Sequence, residues 1–307
     1  MLPIGFVPQK TLKTSICCRG TALHSGQPVT MTFHPAAADA GIVFRRSDRD
    51  GAALPASWRY VRESALCTTV DDNDGLRVAT IEHVMAALAG LEIDNAVIEL
   101  DGPEAPVMDG SAAPFIFLLE CAGIVTQHAP RRAIEVLKPV GVGDGEKSAA
   151  LLPGDGLTIN LTIDFAANAI RRQTMRWSFD PESFRSEIAP ARTFGFLEEI
   201  DALRAAGLAR GGCMDNAIVI GGGRVLNQDG LRFPDEFVRH KVLDAVGDLY
   251  LAGAPIIGTF TGFRSGHAIN RQLLEALFRD RSAFRQVPMP IVDAGADGWH
   301  DQLRASA

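Results

Sequence analysis

Thr80-Ile81-Glu82-His83-Val84-Met85-Ala86-Ala87-Leu88-Ala89-Gly90 marks the first change of periodicity along the chain. It breaks a first third that otherwise reads as strands and turns and switches to a helical pattern. Thr80 is its expected N-cap and Gly90 the expected glycine past its end. Upstream, strands are expected over Gln9–Cys18, Val29–Phe33, Ile42–Arg46 and Cys67–Val70, the first two with partial period-two alternation. Downstream come a strand at Ala96–Leu100, the loop GPEAPVMDGS, and a second helix over Ala112–Ala122.

The second half echoes this order. After the expected linker His128–Arg132, strands begin at Ala133 and continue through Leu157–Phe165. Helices are expected near Phe196–Ala206, and GGGR at 221–224 reads as a hairpin turn. A helix over Pro234–Leu251, a strand at Ile256–Phe260, the loop TGFRSG and a helix over His267–Phe278 complete the chain. Each half thus carries a helix with a histidine, then a strand, a polar loop and a last helix. His83 to Ser111 spans 28 residues and His240 to His267 spans 27. The expected fold class is α+β, with two similar domains at 1–128 and 129–307 and a cleft between them.

With 307 residues, 47% hydrophobic and 22% charged, the chain has the composition of an ordinary globular protein. A net charge of −7 excludes nucleic-acid binding through bulk positive charge but leaves room for a local basic pocket. Five cysteines without C-x-x-C spacing argue against a disulfide scaffold or a Cys-rich zinc site, and Cys67, Cys121 and Cys213 are expected to be small buried side chains. MLPIGFVPQKTLK lacks a signal-peptide pattern, and no apolar run reaches the roughly 18 residues of a membrane helix. A cytoplasmic location, with at most peripheral membrane contact, is expected.

In Phe237-Val238-Arg239-His240-Lys241-Val242-Leu243-Asp244-Ala245-Val246-Gly247-Asp248-Leu249, residues four apart lie about 40° apart around a helix. His240, Asp244 and Asp248 form one polar stripe. An imidazole and a carboxylate one turn apart can both reach a divalent metal, and the same stripe also suits a solvated helix face. Glu82-His83 pairs a candidate base with a candidate ligand, although His83 also suits a satisfied core histidine. Two His and one Asp leave a position for water, as catalytic sites do, and the set alone does not separate Zn²⁺ from Fe²⁺. His267, opening a helix after Phe263-Arg264-Ser265-Gly266, could gain Asp248 as a partner and act as an acid, or could be a surface residue.

Longer segments carry a resemblance: QKTLKTSICCRGTALHSG, SALCTTV, VATIEHVMAALAGLEIDNAVIELDGPEAPVMDGSAAPF, ARTFGF, GGCMDNAIVI, RVLNQDGLRFPDEFVRHKVLDAVGDLYL and GTFTGFRSGHAIN. Together, in this order, they resemble the UDP-3-O-acyl-N-acetylglucosamine deacetylases of lipid A biosynthesis. The resemblance covers essentially the whole chain. It implies two domains, each of two α-helices layered on a β-sheet, with one catalytic Zn²⁺ between them. It also implies hydrolysis of the 2-N-acetyl amide of a UDP-linked glucosamine bearing a 3-O-(3-hydroxyacyl) chain.

On this pattern His83, His240 and Asp244 match the metal ligands, with Fe²⁺ as the alternative ion. Glu82 matches the general base, His267 the acid or cationic stabiliser, and Asp248 its partner. Thr193 matches the residue that holds the oxyanion and Lys241 a lysine that contacts substrate. Lys147, Phe165, Lys241 and Arg264 match positions near the nucleotide. The apolar stretch from Phe194 through Leu203 and Leu208 to Cys213 resembles the acyl passage. Cys67 matches a cysteine near the metal in some members. The chain departs from the family at Cys213, where serine stands in many members, and at Glu199, where aspartate is familiar. The expected partner is the sugar nucleotide, with no nucleic acid, and the expected state is a monomer. Two rivals remain at this stage: a catalytically silent sugar-nucleotide or acyl-chain binder on the same fold, and a non-haem iron oxygenase using the same triad.

Overall fold

In the computed structural model, which describes residues 6–290, the first half is built on a five-stranded sheet. Its strands run in the order Ile16–Thr21, Pro28–Pro35, Ala96–Leu100, Ile42–Arg46 and Ala52–Pro55. Neighbours are antiparallel except Ile42–Arg46 and Ala96–Leu100, which run parallel. Alternation puts Val29, Met31 and Phe33 in the core. Helices α1 (Glu82–Gly90) and α2 (Ala113–Ala122) flank the strand Ala96–Leu100 in sequence and complete this half.

The second half repeats the plan. A seven-stranded sheet is organised around Ile256–Phe263, which pairs antiparallel with Ser148–Leu152 and parallel with both Leu157–Asp164 and Arg132–Val136. Two short helices, α3 (Pro181–Ser183) and α4 (Ile200–Ala205), precede the long α5 (Glu236–Tyr250) and α6 (His267–Arg279). The order helix, strand parallel to an earlier strand, helix therefore recurs, as the spacing of the two halves suggested. Each half also carries a small three-stranded sheet. One comprises Val61–Arg62, Thr69–Asp71 and Arg77–Ala79; the other comprises Phe194–Phe196, Ile218–Gly221 and Arg224–Val225.

Where local expectations differ from the fold, the reasons are tertiary. Gln9–Cys18 is two strands, Pro8–Leu12 and Ile16–Thr21, in different sheets, because the backbone of Lys13 and Thr14 bonds to Gly123 and Ala122 instead. The stretch 128–132 is no open linker: Ile124–Pro130 is a strand antiparallel to Pro8–Leu12, and Arg132–Val136 begins after one residue. That residue, Arg131, is buried between Asp94 (2.8 Å) and Glu92 (2.6 Å), so the crossing between halves is held by ion pairs. Residues 196–206 supply a strand end, a 3-10 turn and only the short α4. Cys67 is buried as expected, but Cys121 and Cys213 are exposed because they face outward from α2 and from the loop before Ile218. GGGR is the hairpin turn the glycines suggested, with Gly222 and Gly223 both at positive φ.

Helix α1 starts and ends differently from its sequence signals. Thr80 is not a cap: it adopts φ 57° and donates its hydroxyl to Glu104 Oε1 at 3.1 Å. Gly90 is the last residue of the helix, and its role is space. A Cβ there would lie 2.1 Å from the Phe184 ring of the other half. A second such contact fixes the cleft: a Cβ on Gly247 of α5 would lie 2.1 Å from the Glu82 carbonyl oxygen of α1. The two helices thus approach backbone to backbone, one from each half.

Candidate metal centre and active site

That close approach brings His83, near the start of α1, up to the polar stripe of α5. His83 Nε2 lies 3.6 Å from Asp244 Oδ1, and His240 Nε2 lies 3.4 Å from the same oxygen. The imidazoles meet edge to face, 5.0 Å between centroids. The ligand atoms of all three residues lie within 4.8 Å of one another.

All three are buried, which removes the solvated-face reading of the stripe. His240 Nδ1 is 3.1 Å from the Ala191 carbonyl, an acceptor, so Nδ1 carries the proton and Nε2 offers its lone pair. Burial pushes the His240 imidazole down to about 4, keeping it neutral as a ligand must be. Burial pushes the Asp244 carboxyl up, but the His240 and Lys241 beside it hold it well below the usual carboxylate range. Lys241 Nζ binds Asp244 Oδ2 at 2.6 Å, whereas the buried Oδ1 has no hydrogen-bond partner. An ionised oxygen cannot be left so without compensation, and a divalent cation is what two imidazoles and this oxygen fit.

Across this set stand the acid–base candidates. Glu82 is buried, and its Oε2 accepts the Thr68 backbone N–H at 2.9 Å. Burial raises its pKa, against the charges of His267 and His83. His267 opens α6, its Nε2 3.8 Å from Glu82 Oε1 and its Nδ1 2.9 Å from Asp248 Oδ2. Burial disfavours its charge, yet Asp248 and Glu82 outweigh this and lift the imidazole to about 10. Asp248 also accepts from Asn270 Nδ2 (2.8 Å) and from the Thr68 hydroxyl (2.5 Å). The α5 stripe is therefore divided: its first turn faces the metal set and its last turn faces His267. Thr68, Ala191 and Asn270 lie inside family-like segments, but nothing in the sequence assigns them a part in the site, since each acts through a partner remote along the chain.

Thr193 follows Ala191 by two residues and is held at the backbone by the Gly110 carbonyl (2.8 Å) and the Ile218 N–H (2.7 Å). The residues that hold this corner are buried ions: Glu236 accepts from Arg192 Nε (2.8 Å) and from the Arg192 backbone N–H (3.0 Å). Phe194 packs edge-on to Phe237 (5.1 Å), Phe165 (5.6 Å) and His240 (6.3 Å), so an aromatic wall adjoins the metal set. Lys147 and Arg264 come together differently. Ser148 pairs with Phe263, so the two cations extend from the same end of neighbouring strands, both exposed. Leu203 and Leu208 are half-buried on and after α4, and Cys213 is exposed beyond them.

A family model described as UDP-3-O-acyl N-acetylglycosamine deacetylase (LpxC) matches residues 9–279. Relatives named UDP-3-O-acyl-N-acetylglucosamine deacetylase are 50% identical over 282 residues, covering 91% of this chain and 92% of theirs. They include proteins of Shewanella sp. (strain W3-18-1), Shewanella oneidensis and Shewanella baltica (strain OS155). A buried two-histidine, one-carboxylate set with Glu82 and His267 as acid–base candidates across it suits such an amide hydrolysis. On the match along nearly its whole length, the chain belongs to the UDP-3-O-acyl-N-acetylglucosamine deacetylase family.

Proposed function

We infer that this protein removes acetate from the 2-N-acetyl group of UDP-3-O-(3-hydroxyacyl)-N-acetylglucosamine in lipid A biosynthesis, using Zn²⁺ held by His83, His240 and Asp244. The observation that carries the reading is the unpartnered, buried Asp244 Oδ1 between two imidazoles, with Glu82 and His267 facing each other beside it. A divalent cation bound there supplies a water of lowered pKa and polarises the amide carbonyl. Fe²⁺ is the second ion the donor set accommodates.

The residues of the chain do the rest. Glu82 takes the proton of the attacking water, its basicity raised by burial. His267, kept charged by Asp248, gives a proton from Nε2 to the leaving nitrogen as the carbon–nitrogen bond breaks. Thr193, two residues after the Ala191 carbonyl that faces His240, and Lys241 are the candidates to face the developing oxyanion and the substrate. Lys147 and Arg264 at the sheet end suit the diphosphate, and Phe165 offers a ring to the uracil. The apolar side chains of Phe194, Leu203 and Leu208, with Cys213 at their end, suit the acyl chain.

Among the described residues no helix is long and apolar enough to cross a membrane. Work in the cytoplasm, with the acyl chain drawing the enzyme to the inner membrane surface, is part of this reading. The test is acetate release from the acylated sugar nucleotide before chelation, after chelation and after Zn²⁺ return. Loss and recovery of release are expected. No release from folded, metal-loaded protein would favour the silent binder, which nucleotide affinity would then reveal. Turnover that needs a redox cosubstrate would favour the oxygenase.

A further inference from the structure

We propose that Thr68 is the positioning residue that sets the Asp248–His267 pair against Glu82. This rests on the deacetylase reading for the roles of Glu82 and His267. Thr68 lies buried just before the strand Thr69–Asp71 in the small sheet of the first half, whereas Asp248 and His267 belong to the second half. One residue makes both connections. Its backbone N–H donates to Glu82 Oε2 at 2.9 Å, and its hydroxyl donates to Asp248 Oδ1 at 2.5 Å. The same hydroxyl oxygen lies 3.0 Å from His267 Nδ1.

Proton counting fixes the roles. A threonine hydroxyl has one hydrogen, and at 2.5 Å from a carboxylate it is committed to Asp248. Its oxygen can then face His267 Nδ1 only as an acceptor, so Nδ1 must carry a hydrogen, shared between Thr68 Oγ1 (3.0 Å) and Asp248 Oδ2 (2.9 Å). That turns Nε2 toward the reacting side, 3.8 Å from Glu82 Oε1. Asn270 and His267 take Asp248 Oδ2, so Thr68 is the sole partner of Oδ1 among the described residues. Without the hydroxyl, the buried Oδ1 is orphaned and the imidazole loses one of the two groups that orient it, while the backbone bond to Glu82 survives. The metal set is not touched.

The test compares metal-loaded wild type with Thr68→Val, Thr68→Ala and Thr68→Ser. Val keeps the shape without the hydroxyl, Ala removes it with less bulk, and Ser restores it. Val and Ala should bind Zn²⁺ with unchanged stoichiometry and keep KM within about twofold while kcat falls on the order of 10- to 100-fold. Ser should return kcat to within about threefold of wild type. The Nδ1–H proton resonance of His267, read by NMR on the same samples, should move in Val and Ala and return in Ser. A kcat in Val or Ala within twofold of wild type, a Ser variant as slow as Val, or an unmoved resonance overturns the proposal. If the loaded wild type releases no acetate, the deacetylase reading fails on its own, and the resonance comparison still decides the placement of Thr68.

Discussion

Gly247→Ala is the substitution whose consequence the packing of the two halves fixes most sharply. In an isolated helix the change would stabilise by up to about 1 kcal/mol, since glycine is the poorer helix former. Here the new methyl would lie 2.1 Å from the Glu82 carbonyl oxygen, 2.9 Å from its carbon and 3.1 Å from the Ala86 nitrogen. An unforced carbon–oxygen contact is about 3.3 Å, so α1 and α5 must part by on the order of 1 Å. The obstacle is helix backbone, which cannot rotate away as a side chain could. Overpacking of this kind costs about 3 kcal/mol or somewhat more, leaving a net loss of about 2 kcal/mol after the propensity gain. At about 1.6 °C per kcal/mol for a chain of 307 residues, Tm should fall by roughly 3 °C.

The same displacement acts on the metal set, because His83 rides on α1 while His240 and Asp244 ride on α5. Ligand distances tolerate about 0.2 Å, so Zn²⁺ affinity should drop at least about tenfold. Calorimetric scans of metal-free and metal-loaded protein separate the two effects. The metal-free Tm falls, and the rise in Tm on adding Zn²⁺ shrinks because the ligand term weakens. Gly156→Ala, where a Cβ meets nothing within 4 Å, is the control expected to leave both unchanged. A Gly247→Ala protein as stable as wild type, with an undiminished Zn²⁺ response, would refute the helix-contact argument.

Other expectations address the site directly. His240→Ala should lose Zn²⁺ together with activity, measured as bound metal per chain after gel filtration; normal metal content would remove His240 from the ligands. Glu82→Gln should keep its metal and lose about 10²–10⁴-fold in kcat, and near-wild-type turnover would end its role as base. Asp248→Asn removes the charge that favours protonated His267, so the imidazole loses its proton at lower pH. The high-pH fall of the kcat profile should therefore move toward neutral pH with metal content unchanged, and an unmoved profile would break the pairing.

How much was legible beforehand follows a physical division. Helical periodicity alone put His240, Asp244 and Asp248 on one stripe, because four residues return almost to the same side of a helix. The repeated order of helix, strand and helix was visible because each unit is local, and the family motifs pointed to the fold and the chemistry. Local signals misled where a distant group competed. Thr80 satisfies Glu104 rather than the helix start, and Gly90 clears space for Phe184 rather than turning the chain. Lys241, which the resemblance matches to a lysine that contacts substrate, binds Asp244 Oδ2 at 2.6 Å, a partner one helical turn away.

Helical periodicity thus assigns the side chains to each helix face, a property of backbone geometry within a few residues. The resemblance matches His83, His240 and Asp244 as one set and pairs Asp248 with His267; the folded chain is what brings His83 within 3.6 Å of Asp244 and stands Thr68 between Asp248 and Glu82. Those placements depend on contacts between groups far apart along the chain. The meeting of His83 with α5 follows from the close approach of α1 and α5 at Gly247, which no local spacing encodes.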